Sequence, residues 1–126
     1  SIPKTNKFSV KVDRKALINT VERVSLIISD KLKSPVRCTF GDGVLNVFTS
    51  SALGKATDSC PIEGSAENMV IGFNNKYLLD ALRAAPADTL KLNLSSGTSP
   101  CILVPDDDSD KFLYMVLPVR LRANEN

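Results

Sequence analysis

The sequence predicts an α+β fold made from an internally duplicated strand-helix-three-strand unit, with two helices packed on one side of antiparallel sheets. Two observations carry this. The first is a repeated phrase. Val12-Asp13-Arg14-Lys15-Ala16-Leu17-Ile18-Asn19 and Phe73-Asn74-Asn75-Lys76-Tyr77-Leu78-Leu79-Asp80 share an order of apolar, Asp/Asn, polar, Lys, small or aromatic, Leu, Ile/Leu, Asn/Asp. The second is the alternation that precedes each copy: Phe8, Val10, Val12 in one and Met69, Ile71, Phe73 in the other. Internal repetition of this kind points to duplicated supersecondary units sharing one core.

The elements follow in order. Phe8 to Val12 alternates with period two, as a strand with one buried face does. Asp13 supplies an N-cap, because its short carboxylate can accept an orphan backbone N–H. A helix is expected from there to about Ser29, with Leu17, Val21, Val24 and Ile28 on one stripe. Val36–Phe40 and Val44–Phe48 flank Gly41-Asp42-Gly43, where glycine tolerates the positive φ of a tight turn. Gly54 to Cys60 reads as a third strand and Pro61 to Glu67 as a polar connection. The second half repeats the order. Met69–Phe73 is a strand, Asn74 a cap, and Asn75–Ala85 a helix with Leu78, Leu82 and Ala85 stacked, stopped by Pro86. Leu90, Leu92 and Leu94 alternate in the next strand. Ser95–Ser99 is a turn, Cys101–Val104 a strand, Pro105–Asp110 an acidic loop and Lys111–Leu117 the last strand. The domain limits expected are 8–121, with a linker from a preceding domain at 1–7 and a polar tail at 122–126. A start at Ser1-Ile2-Pro3-Lys4 suggests a piece of something longer.

At 126 residues the chain fits one domain able to bury a real core. A formal charge of +2 is too small to identify a nucleic-acid binder by itself. No apolar run approaches the ~20 residues a membrane helix needs. The sequence has no histidine, which removes the commonest general base and the usual zinc ligand. Cys38, Cys60 and Cys101 are widely spaced within apolar runs, and read as small buried hydrophobes in a reducing cytosol. Asp106, Asp108 and Asp110 have the one-three-five spacing of a calcium loop. Lys111 stands at the sixth position and Leu117 at the twelfth, where Gly and Glu belong, so the match fails. No metal and no cofactor is expected.

Ile71-Gly72-Phe73-Asn74-Asn75-Lys76-Tyr77-Leu78-Leu79-Asp80-Ala81-Leu82 and Tyr114-Met115-Val116-Leu117-Pro118-Val119-Arg120-Leu121 strongly resemble the C-terminal domain of the bacterial DNA polymerase III beta subunit, the replication sliding clamp. Val24-Ser25-Leu26-Ile27-Ile28-Ser29 adds to the likeness. The resemblance implies the third domain of a DNA-clamp fold, in a cytoplasmic, non-catalytic subunit of a DNA polymerase holoenzyme. It implies a processivity factor that encircles duplex DNA without reading sequence, as a head-to-tail homodimer in the full-length protein. Partners would be the polymerase III alpha subunit, the clamp loader and repair polymerases, held through short linear motifs. On this chain the peptide pocket falls on Ser99, Pro100, Met115, Val116, Leu117, Pro118, Val119 and Arg120. The subunit interface falls on Ile27, Ile28, Lys55 and Asp58, with Gly54–Cys60 as the pairing edge. That strand is often glutamate-rich in the family and here has only Asp58, beside Lys55. Arg14, Lys15, Arg23, Lys76 and Arg83 would face DNA, among Glu22 and Asp80. The alternative is a generic β-edge interaction module unrelated to replication.

Overall fold

The computed structural model describes residues 7–29, 31, 33–106 and 114–121. The linker expected at 1–7 (apart from Lys7), the tail 122–126 and the acidic loop beyond Asp106 lie outside the described residues. Among the described residues, eight strands form one antiparallel sheet: β1 (Phe8–Asp13), β2 (Val36–Phe40), β3 (Val44–Ser51), β4 (Gly54–Glu63), β5 (Met69–Phe73), β6 (Thr89–Leu94), β7 (Cys101–Pro105) and β8 (Tyr114–Val116). Two α-helices, α1 (Arg14–Val24) and α2 (Asn75–Ala84), complete the duplicated order.

Both caps work as their chemistry requires. Asp13 accepts from the Ala16 N–H at 2.9 Å, and Asn74 accepts from the Tyr77 N–H at 3.1 Å. Leu17, Val21 and Val24 of α1 are buried, as are Leu78, Leu79, Ala81 and Leu82 of α2. They join the inward residues of every strand in one core, on one side of the sheet.

The strand order is β5-β2-β3-β4-β1-β6-β7-β8. The halves therefore exchange their lead strands. β1 of the first half pairs with β6 of the second along its whole length, from Phe8↔Leu94 to Asp13↔Thr89. β5 of the second half pairs with β2 of the first, from Val36↔Phe73 to Phe40↔Met69. The two groups of four are joined where Lys11↔Glu63 and Val12↔Ile62 pair. On the far side a bridge between Gly72 and Val119 brings the chain end back to β5.

Two sequence expectations need correction, and a third is only partly covered by the described residues. The first helix does not reach Ser29. It ends at Val24, and a 3-10 turn covers Ser25–Ile27, leaving Ile28 extended. Ser25 causes this: its hydroxyl bonds back to Val21 O at 2.6 Å and its N–H is shared between Arg23 O and Val21 O. The third strand is ten residues long and absorbs Pro61–Glu63, which had read as connection. The last strand is described only over Tyr114–Val116, with the expected Lys111–Leu113 outside the described residues.

Candidate functional site

The C-terminal segment is held by a close approach. Val119 N–H donates to Gly72 O at 2.8 Å. A Cβ on Gly72 would lie 2.6 Å from Leu121 Cδ2 and 3.1 Å from Val119 O, so only glycine leaves room for this crossing. Leu121 reaches the small hollow that Arg37 and Phe48 also line, fixing the segment to the sheet.

A groove of about 510 Å³ opens beside that segment. One wall is the stretch after α1 and the end of β3, with Ile28, Lys33, Pro35 and Ser50. The other is the start of α2, Asn74 to Tyr77, together with Val119 and Arg120. The first wall is tied down by Thr49 Oγ1 donating to Pro35 O at 2.8 Å and Ser51 Oγ donating to Ile27 O at 2.8 Å.

The residues expected to form a peptide pocket divide. Val119 and Arg120 line the groove. Leu117 is 68% exposed, while Val116 is buried in the core. Val116 is the last residue of β8 and faces the core, whereas Leu117 lies just beyond the strand. Met115 and Pro118 are half-buried. The Cys101↔Val116 register ends the β7–β8 ladder at the hairpin end bearing Ser99 and Pro100. Ser99 Oγ lies 2.7 Å from Ser96 Oγ, within the turn. Tyr77 is the residue that the sequence reading passed over. It is 69% exposed and lines the groove, yet its place within the repeated phrase had made it look like helix scaffold.

The interface candidates gather at one edge. β4 pairs with β3 from Gly54 to Pro61 but with β1 only at Ile62 and Glu63. Among the described residues its other edge, along Gly54–Cys60, carries no ladder. Ser51 Oγ accepts from the Leu53 N–H and donates to Ile27 O, joining the β3–β4 turn to the 3-10 turn. Leu26 and Leu53, 82% and 70% exposed, stand at this corner beside Ile27 and were not singled out in the sequence. Ile28 packs partly on the core. Lys55 is exposed. Asp58 accepts from Arg23 Nε at 2.5 Å, and that hydrogen bond, with a second from Ser59 N–H, holds its carboxyl below the usual carboxylate range.

The three arginines expected to face DNA have partners within the chain. Arg14 Nε donates to Ala87 O at 2.9 Å, Arg23 pairs with Asp58, and Arg83 pairs with Glu22 at 2.7 Å. Lys15 is exposed on α1. Lys76 belongs to the groove.

The three cysteines are buried free thiols. Burial raises Cys60 to about 11 and Cys101 to about 12, and pushes Cys38 higher still. They are packing groups rather than nucleophiles. No group of three or more His, Cys, Asp or Glu among the described residues could hold a metal ion. Asp106, first of the acidic loop, pairs with Lys11 Nζ at 3.4 Å. Among the described residues, no helix is long and apolar enough to cross a membrane.

Fold and groove together define an internally duplicated α+β domain of the DNA-clamp type. The family described as "DNA polymerase III beta subunit, C-terminal domain" matches residues 1–120, and the chain belongs to that family. The beta sliding clamp of Synechocystis sp. is 34% identical over 95% of this chain and 31% of its own length. The solved beta subunit of Thermotoga maritima superposes with a TM-score of 0.86 at 31% identity, over 96% of this chain and 33% of that one. A Bartonella birtlesii sliding clamp solved bound to griselimycin gives 0.86 at 30% identity, over 95% and 32%. The chain thus spans about a third of the length of these relatives.

Proposed function

We propose that the chain, over residues 8–121, acts as the third domain of a ring-shaped sliding clamp. In this reading it is a non-catalytic, cytoplasmic processivity factor domain that helps encircle duplex DNA. It tethers the replicative polymerase, the clamp loader and repair polymerases through short linear motifs. The observation that carries the reading is the Leu117–Arg120 segment, exposed at Leu117 and Arg120, anchored at Gly72 and flanked by Tyr77 at a groove mouth. An aromatic ring and aliphatic side chains beside strand-ending Pro118 suit the apolar anchors of an extended peptide.

The ring contact would use the unladdered β4 edge and the Ile27–Ile28 corner in a head-to-tail homodimer of the full-length protein. Lys15 and the partnered arginines of α1 and α2 would face phosphates. Their modest field suits a ring that holds DNA topologically, without base contacts.

A peptide of the Gln-Leu-x-Leu-Phe type tests the docking surface. Amide resonances of Tyr77 and Leu117 to Arg120 should shift, with Kd near ~1 mM, about −4 kcal/mol. Affinity is expected to be this weak because a preceding domain would supply the rest of the pocket. Silence at those residues would sink the assignment, and shifts confined to β4 would favour a generic β-edge module. The isolated chain should not be retained on circular DNA.

A further inference from the structure

β5 stands at one end of the strand order, and two separate parts of the chain reach its outer edge. One is the C-terminal segment, through the bond from Val119 N–H to Gly72 O. The other is the β6–β7 turn. A Cβ on Gly97 would lie 2.5 Å from Val70 O, so the Gly97 backbone rests against that carbonyl in a space no side chain could share. Val70 and Gly72 are two residues apart, so their carbonyls point to the same side of β5, about 7 Å from each other. The turn is tied within itself. Ser96 Oγ accepts from the Thr98 N–H at 3.2 Å and lies 2.7 Å from Ser99 Oγ, and the Ser99 N–H donates to Ser96 O at 3.4 Å. A displacement at Gly97 is therefore passed on to Ser99 and Pro100, which the docking reading places in the peptide pocket.

We propose that Gly97 is a positioning residue of the peptide-docking surface: by seating on Val70 O it sets the spacing between the Ser99–Pro100 wall and the Leu117–Arg120 wall. The inference rests on the docking reading above and deepens it. β5 then holds both walls, each through one backbone carbonyl. The two glycines differ in what a side chain would meet. At Gly72 the closest atom is the far end of Leu121, which can turn aside, whereas at Gly97 it is backbone, which no rotamer change relieves. With a methyl group at position 97, the turn or β5 must move by about 1 Å to restore an ordinary contact distance. A docking surface whose walls have shifted must be reorganised when the peptide binds, and affinity falls by that cost.

The test uses the 126-residue chain and the Gln-Leu-x-Leu-Phe peptide. Nuclear magnetic resonance titration reads Kd at Tyr77 and Leu117, which lie outside the turn. Gly97→Ala should weaken the peptide about fivefold, with shifted Val70 and Ser99 amides in the free chain. Ser96→Ala keeps Gly97 but loosens the turn from within, and should weaken the peptide about twofold. Asp13→Ala, which removes the α1 cap away from the turn, should lower the unfolding midpoint yet leave Kd unchanged. An unchanged Kd in Gly97→Ala would overturn the positioning role while leaving docking intact. An equal loss in Asp13→Ala would overturn it too, since general destabilisation would then account for the effect. Should Gly97→Ala fail to fold, Ser96→Ala decides: a weaker Kd upholds the role and an unchanged one overturns it. No response of the parent chain at millimolar peptide would overturn docking, and positioning with it.

Discussion

Gly72 acts through what it lacks. Its backbone is not in the left-handed region; its value lies in letting Leu121 and the Val119 carbonyl come within 3.1 Å of where a Cβ would sit. Gly72→Ala should therefore push the C-terminal segment off the sheet, costing about 1–3 kcal/mol in urea unfolding. Part of that loss should be recovered in a Gly72→Ala, Leu121→Ala double variant, since the far end of Leu121 makes the closest clash. Strict additivity of the two changes would show that the crossing is not what holds the segment. Asp58 makes a second residue-scale prediction. Its carboxyl is depressed chiefly by the Arg23 hydrogen bond. Stability from this pair is thus present above the unfolded aspartate value of about 3.9 and lost as pH falls below it toward the native value. Acid unfolding of Asp58→Asn should begin from lower stability at neutral pH, and its stability should fall less steeply below about pH 4 than that of the parent chain.

At the scale of the element, the caps carry equal weight in the two halves. Asp13→Ala and Asn74→Ala should each cost about 1 kcal/mol, measured as a midpoint shift without a change in slope. A cost confined to one of them would mean the two strand-to-helix junctions are not equivalent. These junctions were legible in the sequence because capping and alternation are local chemistry. The end of α1 was not. Its apolar spacing runs on to Ile28, but a Ser25 hydroxyl bonding to Val21 O competes with the helix in a way that periodicity does not register. β4 was hard to read for the opposite reason. Only Cys60 and Ile62 of its ten residues are buried, because Ala56 and Asp58 on the inward side lie at the rim near α1. A strand that owes its form to a neighbouring ladder shows little pattern of its own. In the docking segment, the sequence supplied Val119 and Arg120 from its second half, but the groove's other wall comes from far-away Lys33 and Pro35, which only folding brings near.

For the whole molecule, the exchange of lead strands sets the behaviour. Each four-stranded group borrows one strand from the other half, and both helices serve one core. Thermal unfolding should be a single transition, the same by circular dichroism and by fluorescence of the tyrosines. Residues 1–66 and 67–126 made separately should each lack cooperative unfolding and should regain it on mixing. Independent folding of either piece would refute the interlock. The exchange also bears on how the chain must be made. Phe8 finds its partner Leu94 only 86 positions later (94 − 8), and Asp13 finds Thr89 after 76 (89 − 13). On a ribosome, β1 emerges long before β6 exists, so its apolar face waits uncovered through most of the synthesis of this domain. Nascent-chain folding is then expected late and all at once, with the early strands as the stretch that a chaperone would meet first.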